Sequence, residues 1–156
     1  MVQELLFADD GSTSGIVFEV GSLPTVIDIL ETRTHEHLFE GCSGSLVPAH
    51  LSIRSLIPKH DEVHDLLVTS MNEGSMILLG LSETWLDCTI PDSEIAIHGF
   101  KHYRRDRNRN GGGVLVYAPE SVKSTRRLDL ENDSLEAIWI EVKMRQKPFW
   151  FCTIYS

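Results

Sequence analysis

The sequence has little cysteine. Its 3 cysteines, Cys42, Cys88 and Cys152, lie far apart in a chain of 156 residues and form no Cys-x-x-Cys pair. An odd number of widely spaced thiols argues against both a disulfide framework and a zinc site. We expect reduced thiols that are mostly buried.

Long apolar runs are also missing. No stretch reaches the roughly eighteen apolar residues that a membrane helix needs, and the first residues lack the basic and apolar regions of a secretory signal. With 42% hydrophobic and 24% charged residues, the composition is that of a globular domain and excludes a disordered or collagen-like chain. We expect a soluble intracellular protein with no membrane contact, with nucleus or cytoplasm and oligomeric state left open.

Basic residues are scarce outside one segment. The net charge is −9, and residues 1–100 carry 3 basic side chains against 16 acidic ones. Residues 101–127 reverse the balance, with 8 basic and 2 acidic side chains. A local basic cluster can contact phosphate groups even in an acidic protein. The segment is therefore either a phosphate-binding surface or a solvated loop rich in arginine.

The chain divides into two parts by pattern. Residues 1–45 mix turn-forming clusters with an apolar run at 16–20 and a possible short helix at 24–32, and form an N-terminal segment of uncertain structure. Residues 46–156 alternate strand and helix patterns, which predicts a single α/β unit.

Within the second part, the spacing predicts one amphipathic helix over 58–70, with Pro58 in its first turn and Asp61 and Glu62 at its positive end. The continuous apolar run at 76–81 predicts a strand that is buried on both faces. Further strands are predicted at 114–118, 135–142 and 149–155. The short loop before residue 149 predicts that the last two pair as an antiparallel hairpin.

Glu83 is the strongest candidate for chemistry. It follows directly after the apolar strand at 76–81, and open α/β sheets bind ligands at the carboxyl ends of their strands. A carboxylate in that place is a natural oxygen ligand for Mg²⁺. The alternative is an ordinary loop acid or a helix-capping partner.

Four blocks of sequence match a known pattern. They read HLSIRSLIPK at 50–59, LSETWLD at 81–87, HGF at 98–100 with RDR at 105–107 and GGGV at 111–114, and IWIEV at 138–142. Their order and spacing resemble the endonuclease/exonuclease/phosphatase family. Within that family, they are most similar to the endonuclease domains of LINE-type non-LTR retrotransposons, over roughly residues 46–156.

The resemblance implies a DNase-like two-sheet α/β sandwich that hydrolyses DNA phosphodiesters with Mg²⁺. Glu83 falls on the family's metal-binding glutamate, and Tyr155 falls on a catalytic tyrosine beside the scissile phosphate. Ser52 falls on a substrate-binding position where the family has asparagine, so one hydroxyl replaces an amide that both donates and accepts. The basic segment implies backbone contacts to DNA from Arg104, Arg105 and Arg107.

The match ends at Ser156, about halfway through the family's domain. The later Asp-x-Asn and Asp-His motifs, which orient and activate the attacking water, have no counterpart here. We therefore expect a partial, truncated sandwich that lacks activity as it stands and binds DNA weakly. The alternative is a non-catalytic remnant or a weak nucleic-acid-binding module. A phosphatase of small phosphoesters is disfavoured, because the Arg-Asp-Arg and triple-glycine block resembles the retrotransposon branch.

Several other residues have competing interpretations. Arg54 is expected to hold the loop after the first block rather than bind substrate, and Trp85 to pack beneath Glu83 rather than stack on a base. The string FADD at 7–10 has the form of a reverse transcriptase metal motif, but no palm domain surrounds it, which favours coincidence. Four histidines have close spacings that could suggest metal ligands but are expected on the surface: His35, His37, His60 and His64.

Overall fold

A computed structural model describes residues 7–8, 45–143 and 148–155 of the chain. One α-helix, α1, spans His60–Asn72 and is preceded by a 3₁₀ turn at Ile57–Lys59. Further 3₁₀ turns lie at Asp92–Glu94 and Leu128–Leu130. The strands are β1 (Phe7–Ala8), β2 (Ser45–Ser52), β3 (Ser75–Ser82), β4 (Phe100–Arg105), β5 (Val114–Pro119), β6 (Ser124–Arg126), β7 (Glu136–Val142) and β8 (Phe149–Tyr155).

The first sheet has the strand order β2-β3-β5-β4. Strands β2 and β3 run parallel, and α1 makes the crossover between them, as parallel neighbours require. Strand β5 pairs antiparallel with both β3 and β4. The register aligns Ser52, Ser82, Val114 and Arg105 across one edge of the sheet. The loops that follow β2 and β3 therefore lie beside the segment that precedes β5.

The second sheet has the order β1-β8-β7-β6, and all of its pairs are antiparallel. Strands β7 and β8 form the expected hairpin, with Glu136 opposite Tyr155. The short strand Phe7–Ala8 adds to the edge of β8 opposite Phe151 and Trp150. Asp9 and Asp10 of the FADD string lie outside the described residues.

Two apolar layers hold the fold together. Alternate β3 residues, Ile77, Leu79 and Leu81, pack toward α1, while Met76 and Leu78 face the second sheet. Because the helix covers one face of β3 and a sheet covers the other, the strand is buried on both faces, as predicted. The result is a mixed α/β sandwich of a helix and two sheets.

The element predictions for the described residues hold closely. The helix expected at 58–70 forms as a 3₁₀ turn running into α1, and the strands expected at 76–81, 114–118, 135–142 and 149–155 appear as β3, β5, β7 and β8. Strands β2, β4 and β6 were not predicted. Pro48 and His50 interrupt the apolar pattern of β2, β4 carries mainly polar and basic residues, and β6 is only 3 residues long. The apolar run at 16–20 and the possible helix at 24–32 lie outside the described residues.

The thiols only partly follow expectation. Cys152 is buried, and burial raises its pKa to about 12. Cys88 is exposed, so the expectation of burial is wrong for this residue, which lies in the loop after β3 rather than in a strand. Cys42 lies outside the described residues.

In the described part of the chain, no helix has the length and apolar character to cross a membrane.

Gly80 allows the two sheets to approach. A Cβ atom at this position would lie 2.9 Å from Cβ and Oγ1 of Thr153 and 3.0 Å from Cζ of Phe151, both in β8. We expect Gly80→Ala to lower the free energy of unfolding by about 1–3 kcal/mol, because overpacking forces these strands apart. Urea denaturation measures this change. Gly111→Ala is the matched control, since its nearest atom would be 4.0 Å away, and equal stability of the two variants would contradict the prediction.

Candidate functional site

The loops after β2 and β3 are joined by backbone hydrogen bonds at one edge of the first sheet. The Ser55 N–H donates to the Glu83 carbonyl at 2.8 Å, and the Leu56 N–H donates to the Thr84 carbonyl at 2.9 Å. On the other side, the N–H groups of Thr84 and Trp85 donate to the carbonyls of Gly113 and Gly112. Glu83 thus lies between the β2 loop and the glycine segment before β5.

This edge also collects unusual backbone conformations. The non-glycine residues with positive φ are Arg54 (48°), Ser55 (76°), Glu83 (59°) and Trp85 (54°) among those described. Left-handed conformations cost a non-glycine residue on the order of 1–3 kcal/mol and concentrate at functional sites. All four flank the hydrogen bonds that join the two loops. The clustering therefore marks this edge as the first place to seek a function.

The Glu83 carboxylate is held by three donors. Its Oε2 accepts from Trp85 Nε1 at 2.7 Å and from the Gly112 N–H at 3.2 Å, and the carboxylate also accepts from the Tyr155 hydroxyl. Burial alone would raise the pKa of Glu83. The three hydrogen bonds and the nearby charge of Arg54 outweigh that effect and lower the pKa below its ordinary value. Glu83 is therefore ionised at neutral pH.

Tyr155 reaches Glu83 from the second sheet, where it ends β8. The hydrogen bond to Glu83 raises the pKa of Tyr155, and burial and the carboxylate charge act in the same direction. The hydroxyl therefore stays protonated and remains a donor near neutral pH. The two residues that the family resemblance singled out meet across the junction of the two sheets.

A second carboxylate, Glu136, lies beside this pair and was missed from the sequence. It opposes Tyr155 in the β7–β8 register, and its Oε2 accepts from the Gly113 N–H at 2.7 Å. Its Oε1 lies 3.3 Å from Nη1 of Arg107. The register of the hairpin was the signal that could have found it, because residues opposite each other in adjacent strands share a face.

Gly112 makes room for this arrangement. Its φ is +74°, and an added Cβ would lie 2.6 Å from Cδ of Arg107 and 2.8 Å from Oε2 of Glu136. The segment that the sequence marked only as Gly111-Gly112-Gly113 therefore lets a guanidinium group and a carboxylate approach the backbone beside Glu83.

Ser52 reaches the same edge. It is the last residue of β2, is half-buried and lies opposite Ser82, the residue before Glu83. The substrate-binding role implied for Ser52 stays a prediction.

The expected substrate-binding arginines divide into two groups. All five N–H groups of Arg104 are used within the protein, on the carboxylates of Asp92 and Asp106 and the carbonyls of Asp87 and Ile90. None remains for the phosphate contact expected of Arg104.

Arg105 is also held by its neighbours. Its Nη2 donates to the Asn132 carbonyl at 3.0 Å, and carboxylates of Glu131 and Asp133 lie 3.8 and 3.9 Å from its guanidinium nitrogens. Arg107 differs, because its side chain is 53% exposed and its one ion pair within the described ranges is with Glu136. Of the three arginines expected to contact DNA, Arg107 is the one that lies open beside Glu83.

Arg54 and Trp85 depart from their expected roles. Arg54 is exposed, and its guanidinium makes no hydrogen bond or ion pair with the described residues, although its charge lowers the pKa of Glu83. Trp85 is half-buried, as a packing residue would be, but its indole N–H also donates directly to the Glu83 carboxylate. Trp85 therefore holds the carboxylate in place.

The histidines do not assemble a metal site in the described residues. His64 lies beside Asp65 at 3.2 Å, and His60 is half-buried with no hydrogen-bond partner for its Nε2. No group of three or more His, Cys, Asp or Glu side chains there is arranged to hold a metal ion. His35 and His37 lie outside the described residues.

Glu83 nevertheless suits one kind of cation. A carboxylate offers about four lone-pair positions, and three hydrogen bonds leave about one of them for a metal. Mg²⁺ is commonly held by one or two carboxylates and completes its shell with water and phosphate oxygens. The donor set around Glu83 fits such a single-point ligand and does not fit a cage built from protein side chains alone.

Comparison with known proteins adds no relative: no family model matches the sequence, and no curated protein gives a significant match.

Proposed function

We propose that the chain carries part of a Mg²⁺-dependent phosphodiesterase site that acts on DNA, in a DNase-like sandwich of the endonuclease/exonuclease/phosphatase type. The observation that carries this proposal is that Glu83 and Tyr155, the two resemblance-derived residues, come together between the two sheets. The Gly112 N–H donates to Glu83 at 3.2 Å, and the adjacent Gly113 N–H donates at 2.7 Å to Glu136, which lies opposite Tyr155.

In this proposal each residue has a separate task. Glu83 supplies one ionised oxygen for the cation, and Trp85 and Gly112 fix the orientation of its carboxylate. Tyr155 lies beside the position of the phosphate and keeps its proton. The bound Mg²⁺ would neutralise phosphate charge and polarise a phosphoryl oxygen.

Divalent-cation binding at Glu83 tests the proposal directly. Mn²⁺, a paramagnetic substitute for Mg²⁺, is expected to broaden the indole N–H resonance of Trp85 first, because Trp85 Nε1 lies 2.7 Å from Glu83 Oε2. The indole signals of Trp139 and Trp150 serve as internal references. NMR spectra recorded during a Mn²⁺ titration give the measurement, and Glu83→Gln is expected to remove the selective broadening.

Glu94→Gln is the matched control, since it removes the same charge from an exposed residue in another part of the surface. It is expected to leave the selective broadening intact. Equal broadening of all three indole signals in the wild-type protein would show that no cation binds at Glu83 and would overturn the proposal.

A second candidate is a nucleic-acid-binding module without catalysis. The observation that favours it is the pair of open guanidinium groups of Arg54 and Arg107 beside a site with few catalytic groups. Such a module would bind DNA equally well in Mg²⁺ and in EDTA.

A further inference from the structure

The arginines of the described chain differ sharply in how far their charge is already used. Arg104, Arg105, Arg126 and Arg127 each contact at least two acceptor groups within the protein. Arg54 and Arg109 are exposed and have no hydrogen-bond or ion-pair partner among the described residues, and Arg54 is the one whose charge acts on Glu83. An unneutralised guanidinium is the side chain best suited to bind a phosphate group with two parallel hydrogen bonds.

The backbone fixes the position of Arg54 beside Glu83. The Ile53 N–H donates to the Ser82 carbonyl at 2.9 Å, and the Ser55 N–H donates to the Glu83 carbonyl at 2.8 Å, so Arg54 is anchored on both sides. Lys59 Nζ further donates to the carbonyls of Ile53 and Arg54. These contacts hold Arg54 at a φ of 48°, an unfavourable conformation for arginine. The backbone at the base of the Arg54 side chain is therefore fixed next to Glu83.

Arg107 approaches Glu83 from the opposite side. The strand order puts the β2 loop on one flank of Glu83 and the glycine segment before β5 on the other. The Arg107 side chain lies over Gly112, where a Cβ would come within 2.6 Å of its Cδ. The charge of Arg107 also acts on Tyr155 and lowers its pKa. The opposing effects of Glu83 and burial are larger, so the pKa of Tyr155 is raised overall.

We propose that Arg54 and Arg107 form a two-sided phosphate clamp around Glu83, which takes the backbone of a nucleic acid as its ligand. The clamp deepens the proposed function, since it names the side chains that hold the phosphodiester, and it rests on that function for its catalytic meaning. In this proposal Arg54 binds the phosphate together with Arg107, in place of Arg104 and Arg105, which the sequence had indicated. Phosphate binding by the clamp does not itself need a metal.

Metal-free DNA binding tests the clamp separately from the cation site. The probe is a short fluorescein-labelled DNA duplex in EDTA, and fluorescence anisotropy gives affinity over a range of salt concentrations. Arg54→Gln and Arg107→Gln are each expected to weaken binding and to reduce the slope of log K against log salt by about 1. The double variant should reduce the slope by about 2, and Arg54→Lys should keep most of the slope.

Two further variants make the result specific. Lys101→Gln removes a positive charge from an exposed residue at the far end of β4, and it is expected to leave affinity and slope unchanged. Glu83→Gln removes the negative charge between the two arginines, so it is expected to tighten metal-free DNA binding. Thermal melting of every variant checks that the fold is retained.

The possible failures are distinguishable. If Arg54→Gln behaves like Lys101→Gln while Mn²⁺ still broadens the Trp85 signal, the clamp is wrong and the cation site stands. If the arginine variants lose affinity but Mn²⁺ leaves Trp85 unaffected, the clamp stands without the proposed phosphodiesterase. If the wild-type chain binds inorganic phosphate but does not bind the duplex, nucleic acid is not the ligand of the clamp.

Discussion

Acidification from pH 6.5 to pH 4 is expected to reduce the free energy of unfolding by about 3 kcal/mol through His50 alone, since each pKa unit is worth about 1.4 kcal/mol. His50 lies in β2, is only 2% exposed, and has no hydrogen-bond partner for either ring nitrogen among the described residues. Burial lowers its pKa to about 4.

The sign follows from the two states of the histidine. Above pH 6.5 the imidazole is neutral in both the native and the unfolded protein, so its contribution to stability does not change with pH. Between pH 6.5 and about 4 the unfolded chain binds the proton and the native protein does not, and stability falls. The loss therefore begins above the range where carboxylates such as Glu83 and Asp92, with their lowered pKa values, are protonated.

Urea denaturation across this pH range measures the effect. His50→Leu is expected to remove the slope between pH 6.5 and 4, and to cost little at pH 7 because a buried polar group without partners is replaced by an apolar one. His98→Gln is the matched control, since His98 is exposed, and it should keep the wild-type pH dependence. An unchanged slope in His50→Leu would assign the acid sensitivity to other groups.

Local pattern was enough to predict the elements whose burial repeats along the chain. The apolar run at 76–81 specified a strand covered on both faces, and the position just after it specified Glu83. The sequence of β4 did not predict a strand, because basic side chains such as Arg104 stand at positions where an alternating pattern would have apolar residues. Such a strand forms through its ladder with β5, which is a contact distant in sequence.

The candidate site shows the same limit more clearly. Arg104 and Arg107 belong to one basic segment, and nothing in their spacing separates them. Their roles diverge because folding brings Asp92 and two loop carbonyls onto Arg104, whereas Glu136 is the one acceptor that Arg107 contacts among the described residues. Glu136 escaped notice for a similar reason, since its place beside Tyr155 depends on the hairpin register. Charge runs predict where basic residues are, and tertiary contacts decide which of them are free.

The 156-residue chain is expected to show no Mg²⁺-dependent nicking of supercoiled DNA above background. A cation held by Glu83 alone keeps most of its water and binds weakly. Hydrolysis also needs a group that orients or activates the attacking water within hydrogen-bond reach. Among the described residues, the second carboxylate near Glu83 is Glu136, and it is already bound by the Gly113 N–H and by Arg107.

Partial sites of this kind do not retain proportionate activity. Catalytic groups that act as a unit are strongly non-additive, so the loss of several leaves mainly binding. Ser52→Asn should therefore fail to restore nicking on its own, although it returns the amide found at this position in the proposed family. A chain in which Asp-x-Asn and Asp-His motifs follow in register is expected to nick, and Glu83→Ala should abolish that activity.

Conversion of supercoiled plasmid to the open-circular form, followed on agarose gels with EDTA as the blank, gives the measurement. The Glu83→Ala variant of the 156-residue chain separates true activity from a contaminating nuclease, because a contaminant would nick equally in both preparations. Robust nicking by the wild-type chain that disappears in Glu83→Ala would overturn the prediction. Glu136 would then be the first residue to test, because it is the second carboxylate in the Glu83–Tyr155 neighbourhood and is already held by Gly113 and Arg107.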